Sequence, residues 1–286
     1  MGREIRHLEK GVSAMKTMNI DLDKCVGCYN CQLACKDEHV GNDWSPISKP
    51  QPEGHFWMKV NESERGTQPK VVVDWMPVSC MHCQEAPCIP SCSENAIYRR
   101  DDGIVIIEPE KCTGCKDCMG ACPYNVIYFH EEMKLCQKCT MCAHLLDRGW
   151  KEPRCVTACP TEALMFGEFE KLSELIERAE EWKPETGTKP LVRYFGLPKP
   201  FIAGEVYSPK EDSCIEGAKL TLTDLLTGEV TTTLTDNYGD FWLKGLKGNT
   251  YSLAIEKDRY YPKEIKNIRS QDGVNLGAIK LYRRCL

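Results

Sequence analysis

Cysteine spacing constrains this chain more than any other feature. Seventeen of its nineteen cysteines lie between Cys25 and Cys159; only Cys214 and Cys285 fall outside. They form four groups: Cys25-x2-Cys28-x2-Cys31-x3-Cys35; Cys80-x2-Cys83-x4-Cys88-x3-Cys92; Cys112-x2-Cys115-x2-Cys118-x3-Cys122-Pro123; and Cys139-x2-Cys142, then twelve residues, then Cys155-x3-Cys159-Pro160. At 286 residues the chain is too long for a disulfide-stapled miniature, and its N-terminus carries neither an apolar run nor a twin arginine. So many clustered thiols point to metal in a reducing compartment. The expectation is a cytoplasmic protein, with any export signal left to a partner chain.

The spacing selects iron. A run of C-x2-C-x2-C-x3-C-P wraps three thiolates around one [4Fe–4S] cluster and sends the fourth to the other cluster of a pair. Zinc is the alternative, but it prefers two separated C-x-x-C pairs around a single ion. Nineteen residues separate Cys92 from Cys112, a gap suited to the two motifs of one small module. Motifs two and three therefore share a module, and motifs one and four share the other. Exchanging the fourth cysteines gives four ligand sets. The first is Cys25, Cys28, Cys31 and Cys159; the second is Cys35, Cys139, Cys142 and Cys155. The third is Cys80, Cys83, Cys88 and Cys122; the fourth is Cys92, Cys112, Cys115 and Cys118. Cys136 precedes motif four at the same C-x-x-C spacing, so it competes with Cys139 for the first position.

The cysteine-rich part also repeats itself. Ile20-Asp21-Leu22-Asp23-Lys24-Cys25-Val26-Gly27-Cys28 matches Ile107-Glu108-Pro109-Glu110-Lys111-Cys112-Thr113-Gly114-Cys115. Apolar triplets beginning at Ala96, Val126 and Ala163 stand at equal distances from Cys92, Cys122 and Cys159. Repetition of one small unit is the mark of successive cluster modules, each a short strand, a cysteine loop, a helical turn and another strand. Ile104–Ile107, after the Asp102-Gly103 turn, reads as one such strand.

Three segments follow. Residues 1–168 form a double cluster-binding domain. Residues 169–200 begin with Leu172, Leu175, Ile176 and Ala179 at helical spacing and continue as a Pro- and Gly-containing extended linker that packs on a partner. Residues 201–286 alternate apolar and polar residues in short runs between turns such as Thr227-Gly228 and Asp236-Asn237-Tyr238-Gly239. That pattern predicts about seven antiparallel strands in a sandwich or small barrel, with Cys214 and Cys285 as free thiols. The fold class is therefore α+β, tandem ferredoxin-like modules followed by an all-β domain. A net charge of -5 without a basic run argues against nucleic acid, and no stretch reaches the roughly 18–20 apolar residues that cross a bilayer.

Other residues invite functional readings. His82 lies inside Cys80-Met81-His82-Cys83, yet each cluster already has four thiolates, so packing or hydrogen bonding is expected of it. The same holds for His39, His55, His130 and His144. Lys24, Lys36, Lys111 and Lys116 flank the motifs, where a cation stabilises the more negative reduced cluster. Trp44, Trp57 and Trp75 fill the insertion between motifs one and two, as an interface patch or a local core. No phosphate loop or nucleophile elbow stands out, so no catalytic residue is assigned.

The phrases CMHCQEAPCIPSC, EPEKCTGCKDCMGACPYNVIY, QKCTMCAHLLDRGWKEPRCVTACPTEAL and KPETGTKPLVRYFGL give the chain a specific resemblance. Over roughly residues 18–198 it resembles the iron–sulfur subunits of molybdopterin oxidoreductases of the dimethyl-sulfoxide-reductase type. CKDEHVGNDW, GHFWMKV, ERGTQPK and RRDDGIVIIEPEK make it most similar to small subunits of the transhydroxylase and resorcinol-hydroxylase type. Residues 201–286 resemble carboxypeptidase-regulatory-like domains, which implies a docking role. The resemblance favours Cys139 over Cys136 in motif four. It implies four [4Fe–4S] clusters here and a large catalytic partner carrying bis(pyranopterin guanine dinucleotide) molybdenum or tungsten. It further implies electron relay to hydroxylated aromatic chemistry, or to quinone through a further membrane subunit. Transhydroxylase-type small subunits are expected to lack most third-motif ligands, whereas this chain retains Cys112, Cys115, Cys118 and Cys122.

Overall fold

The computed structural model describes residues 15–284; Cys285 lies outside the described residues. The chain divides into two units. One runs to Glu62 and resumes over Trp75–Leu197; the other comprises Ser63–Asp74 and the chain from Pro198 onward.

In chain order the first unit begins with β1 (Lys16–Asp21) and α1 (Asn30–His39). The hairpin β2 (Lys59–Thr67) and β3 (Lys70–Val78) follows, and its tip, Ser63–Asp74, groups with the second unit. Next come β4 (Ile97–Arg99), β5 (Val105–Ile107), α2 (Asp117–Ala121), β6 (Tyr128–His130) and β7 (Leu135–Gln137). The unit closes with α3 (Ala143–Leu146), α4 (Arg154–Thr157), β8 (Leu164–Glu168), α5 (Ser173–Arg178) and β9 (Val192–Phe195). β1 is the centre of a three-stranded sheet, antiparallel to β8 and parallel to β9. Covered on both sides, it buries Thr17, Met18, Asn19 and Ile20 together, as a central strand should. β4 pairs with β5 and β6 with β7 as three-residue hairpins. The core is shared among Met18, Ile20, Trp57, Met81, Ile104, Ile106 and Tyr194, and buried thiols are part of it.

The stretch read as a helix and extended linker behaves differently. Helical dihedrals end at Arg178, because Ala179 is extended and the Glu180 and Tyr194 backbones exchange hydrogen bonds of 2.7 and 2.9 Å. Residues 188–195 are tied into the cysteine unit. Gln84 N–H donates to Lys189 O at 2.9 Å, Leu191 N–H to Met81 O at 3.0 Å and Thr17 Oγ1 to Leu191 O at 2.7 Å. Of the three tryptophans, Trp57 is core, Trp44 stacks on His144 at 4.4 Å and Trp75 lies against Gly27.

The second unit is a sandwich of two four-stranded sheets, and no closed barrel forms. One sheet holds β10 (Phe201–Ser208), β11 (Ser213–Cys214), β14 (Asp240–Leu243) and β17 (Gly273–Lys280). The other runs β12 (Lys219–Asp224), β13 (Val230–Leu234), β15 (Thr250–Glu256) and β16 (Lys263–Arg269) in spatial order 13-12-15-16. β10 and β17 pair in parallel, which corrects the all-antiparallel expectation. Alternation along β12 and β15 places Leu220, Leu222, Leu253 and Ile255 inside with Val206, Phe241 and Ile279.

Candidate cluster-binding site

Every described cysteine is a free thiol. In each motif the backbone turns the same way. The residue two after the first cysteine is left-handed: Gly27 at φ 63, His82 at 42, Gly114 at 75 and Met141 at 49. That turn aims its N–H at the first sulfur, at 3.5 Å for His82 on Cys80 and 3.4 Å for Met141 on Cys139; Gly27 does the same for Cys25 and Gly114 for Cys112. Glycine takes this conformation without steric cost, and at Gly114 a Cβ would meet Lys134 O at 2.2 Å. His82 and Met141 hold it against a penalty of about 1–3 kcal/mol.

A second repeated device follows the fourth cysteine. Asn95, Asn125 and Glu162, three residues past Cys92, Cys122 and Cys159, are all left-handed. The next N–H then reaches the sulfur, Ala163 to Cys159 at 3.3 Å and Val126 to Cys122. Motif one departs from this, since α1 carries the chain on to His39 and Met58 N–H serves Cys35 instead.

These turns bring several of the thiols near one another. Burial pushes Cys31 up to about 12, with repulsion from Cys25, Cys159 and Cys28. Burial drives Cys155 well above the usual thiol range, with Cys142, Cys35 and Cys139 adding to it. Burial takes Cys83 to about 12, with Cys80, Cys88 and Cys122 as its charged neighbours. Cys80, Cys83, Cys88 and Cys122 line one small void, walled by Val105, Val126 and Ile127. Cys92, Cys112, Cys115 and Cys118 line another, walled by Ala96, Ile97 and Ile107. Cys139 keeps company with Cys35 and Cys155, whereas Cys136 sits in the fourth set's void.

The sets adjoin one another in order. Cys155 of the second set feels Cys31 of the first; Cys139 of the second feels Cys80 of the third; Cys88 of the third feels Cys118 of the fourth. The second set is buried throughout, while Cys28 in the first and Cys115 in the fourth are exposed.

The surroundings suit an anionic iron–sulfur group. Backbone N–H groups face sulfur in every motif. His82 is fully buried; its Nδ1 accepts from Val105 N–H at 3.1 Å, and its Nε2, in the wall of the third set's void, has no partner. Burial holds that imidazole neutral, its pKa well below the usual histidine range. Among the described residues no three His, Cys, Asp or Glu converge on a single-ion site.

Sequence reasoning missed Lys138. It is 2% exposed, donates to the carbonyls of Val105 and Cys139, and lowers the cost of thiolate at both Cys88 and Cys139. The lysines that flank the motifs are engaged elsewhere. Lys24 pairs with Asp21 at 3.9 Å, Lys111 with Glu108 at 2.8 Å, Lys116 lies 3.7 Å from the Phe129 ring centre, and Lys36 donates to His55 O at 3.1 Å. The only signal for Lys138 was its place inside the Cys136–Cys139 step. His39 is likewise buried, with Nε2 3.9 Å from Cys142 Sγ, and burial lowers its pKa to about 3.

Two families match the chain, the 4Fe-4S dicluster domain over residues 71–169 and the carboxypeptidase regulatory-like domain over 202–280. The chain is 38% identical over 277 residues to the pyrogallol hydroxytransferase small subunit of Pelobacter acidigallici, covering 92% of this chain and 98% of that one. It is 36% identical to a sulfite dehydrogenase subunit of Allochromatium vinosum, covering 61% and 80%. It is 33% identical to a tetrathionate reductase subunit of Salmonella typhimurium, covering 65% and 74%.

Proposed function

The chain belongs to the electron-transfer iron–sulfur subunits of the dimethyl-sulfoxide-reductase-type molybdopterin oxidoreductases, and on that premise we propose that it relays electrons through four [4Fe–4S] clusters to or from a large subunit that hydroxylates or dehydroxylates a phenolic ring. The sixteen cysteines of the four sets would hold the clusters in tandem ferredoxin-like modules. The molybdenum or tungsten bis-pterin centre and the substrate belong to the partner.

Bound in these sets, clusters supply one-electron oxidation and reduction. The protein's part is to hold them in sequence, keep water from the inner two, and stabilise the extra negative charge of the reduced state through backbone N–H groups and Lys138. The observation that carries the reading is the order of the sets, an unbroken line of neighbours with an exposed thiol at each end. A line of that kind serves net electron flow, which a hydroxylation requires and a transhydroxylation does not. The aromatic assignment is favoured over a quinone-linked one by extent of likeness. The match to the pyrogallol hydroxytransferase small subunit spans 92% of the chain, against 61–65% for the two sulfur-compound relatives.

The test is anaerobic purification of the complex with its large subunit, followed by iron analysis and turnover of resorcinol-like phenols with an artificial electron acceptor. About sixteen irons per chain and acceptor reduction that depends on the phenol are expected. Turnover only with a phenolic co-substrate, and never with an acceptor, would sink the proposal of net redox flow.

A further inference from the structure

Two of the four cysteine loops lie under an aromatic ring supplied by a hairpin. Gly27, between Cys25 and Cys28, is covered so closely that a Cβ there would meet Cγ, Cδ1 and Cδ2 of Trp75, each at 2.5 Å. Three adjoining ring atoms at one distance mean that the indole lies flat on the glycine rather than touching it with an edge. The base of the β2–β3 hairpin is fastened to the same stretch of chain. Val60 N–H donates to Gln32 Oε1 at 2.8 Å, and Tyr29 Oη donates to Glu62 Oε2 at 3.0 Å. Trp75 itself is half-buried against the core of the cysteine unit. At Gly114, the matching position of motif three, a Cβ would lie 3.1 Å from Cε2 of Phe129 on the β6–β7 hairpin. The other two loops carry His82 and Met141 at this position, and both residues are buried. The two glycine loops are also the ones with an exposed thiol, Cys28 and Cys115. Glycine with a ring laid over it thus stands where the cysteine loops meet solvent.

We propose that Trp75 is a positioning residue of the first set, whose ring closes the Cys25–Cys28 loop against water and so holds down the reduction potential of the first cluster and slows its oxidative loss. The physical reason is solvation. Reduction adds one electron to a group already bonded to four thiolates, and solvent exposure is among the factors that set its potential. Water that reaches the ligand sulfurs solvates the more negative, reduced state better than the oxidised one, which raises the potential. An apolar plate on Gly27 displaces that water from one side of the loop. The loop needs glycine for this, since no Cβ fits beneath the ring. The inference rests on the four-cluster reading of the chain.

The test uses the anaerobically purified complex of the native chain, Trp75→Ala and Trp75→Phe. Redox titration is followed by electron paramagnetic resonance, and oxidation by ferricyanide is followed through the [3Fe–4S] signal. In Trp75→Ala the iron content as isolated is expected to equal the native value. One of the four midpoint potentials is expected to move positive while three stay in place, and the [3Fe–4S] signal to form several-fold faster. Trp75→Phe keeps a ring over Gly27 and is expected to restore slow oxidation and a potential near the native one. If neither the potentials nor the oxidation rate change in Trp75→Ala, the ring is packing only and the proposal is overturned; a negative shift overturns it too. Loss of iron from either variant during anaerobic isolation also overturns it, because Trp75 would then be needed for assembly rather than for shielding. Absence of iron from the native complex would instead overturn the underlying cluster reading.

Discussion

The two units bury their interiors by different means. In the sandwich, β12 and β15 are six and seven residues long, and burial alternates along them, so apolar side chains meet across two sheets. In the cysteine unit β4, β5, β6 and β7 have three residues each. Much of what is buried there is thiol, including Cys35, Cys80, Cys88, Cys139, Cys142 and Cys155. Burial favours their protonated form, whereas ligation requires thiolate, so cluster binding and folding are linked. One unit carries its core in its side chains, and the other, on the proposed reading, completes its core with iron.

The largest expected effect is on iron removal. Chelation under reducing, denaturant-free conditions should abolish the near-ultraviolet circular dichroism of the cysteine unit and open its loops to protease. The sandwich should keep its far-ultraviolet β signal and resist cleavage. A protease-resistant iron-free cysteine unit would show that its core does not depend on iron. A single ligand removal is next. Cys155→Ala strips the fully buried second set of a thiolate and, on the proposed four-cluster reading, should cost about four of sixteen irons, read by iron and sulfide analysis; full iron occupancy would remove Cys155 from the set.

The sandwich offers the converse. Leu253 is fully buried and faces the other sheet. Leu253→Ala should cost about 2–5 kcal/mol of that unit's stability, measured by denaturant unfolding, while iron content stays at the native level. A smaller effect is expected at Gly114. An alanine there would push its Cβ into Lys134 O and would have to hold a φ of 75°, at a cost of about 1–3 kcal/mol. Faster cluster loss on mild heating, followed by the fading of visible absorbance, would register it.

Legibility followed the same division. Spacing is the ground for assigning each fourth cysteine to a set, because ligand reach is a matter of loop length. The period-two pattern predicted the sandwich strands for the same reason that it buries them. Other features depend on contacts remote in sequence. Nothing local shows that His82 and Met141 adopt the turn that glycine takes at Gly27 and Gly114, since the neighbouring chain imposes it. The parallel pairing of β10 with β17 joins segments about seventy residues apart. The segment read as a linker supplies β9 because Leu191 and Thr188 find backbone partners in motif two. Cys136 and Cys139 share one C-x-x-C step, and only the β6–β7 hairpin parts them, turning Cys136 toward the fourth set.

Lys138 bears on the same contrast, since on the proposed four-cluster reading the clusters balance its buried charge. Among the described residues no carboxylate pairs with it, and its ammonium group rests on two backbone carbonyls between the second and third sets. An ammonium ion desolvated in this way would be costly in an apolar core of the sandwich kind. Beside the two anionic clusters that the proposed function assigns to these sets it would be compensated, and its field would favour the reduced state of each. Lys138→Met keeps the length and removes the charge. Two of the four midpoint potentials should therefore move negative together, by on the order of 60 mV, the one-electron equivalent of a tenfold change in equilibrium. Lys138→Arg should hold both near their native values. If one potential moved alone, Lys138 would belong to a single set, and the step from the second to the third set would lack the shared charge that ties them.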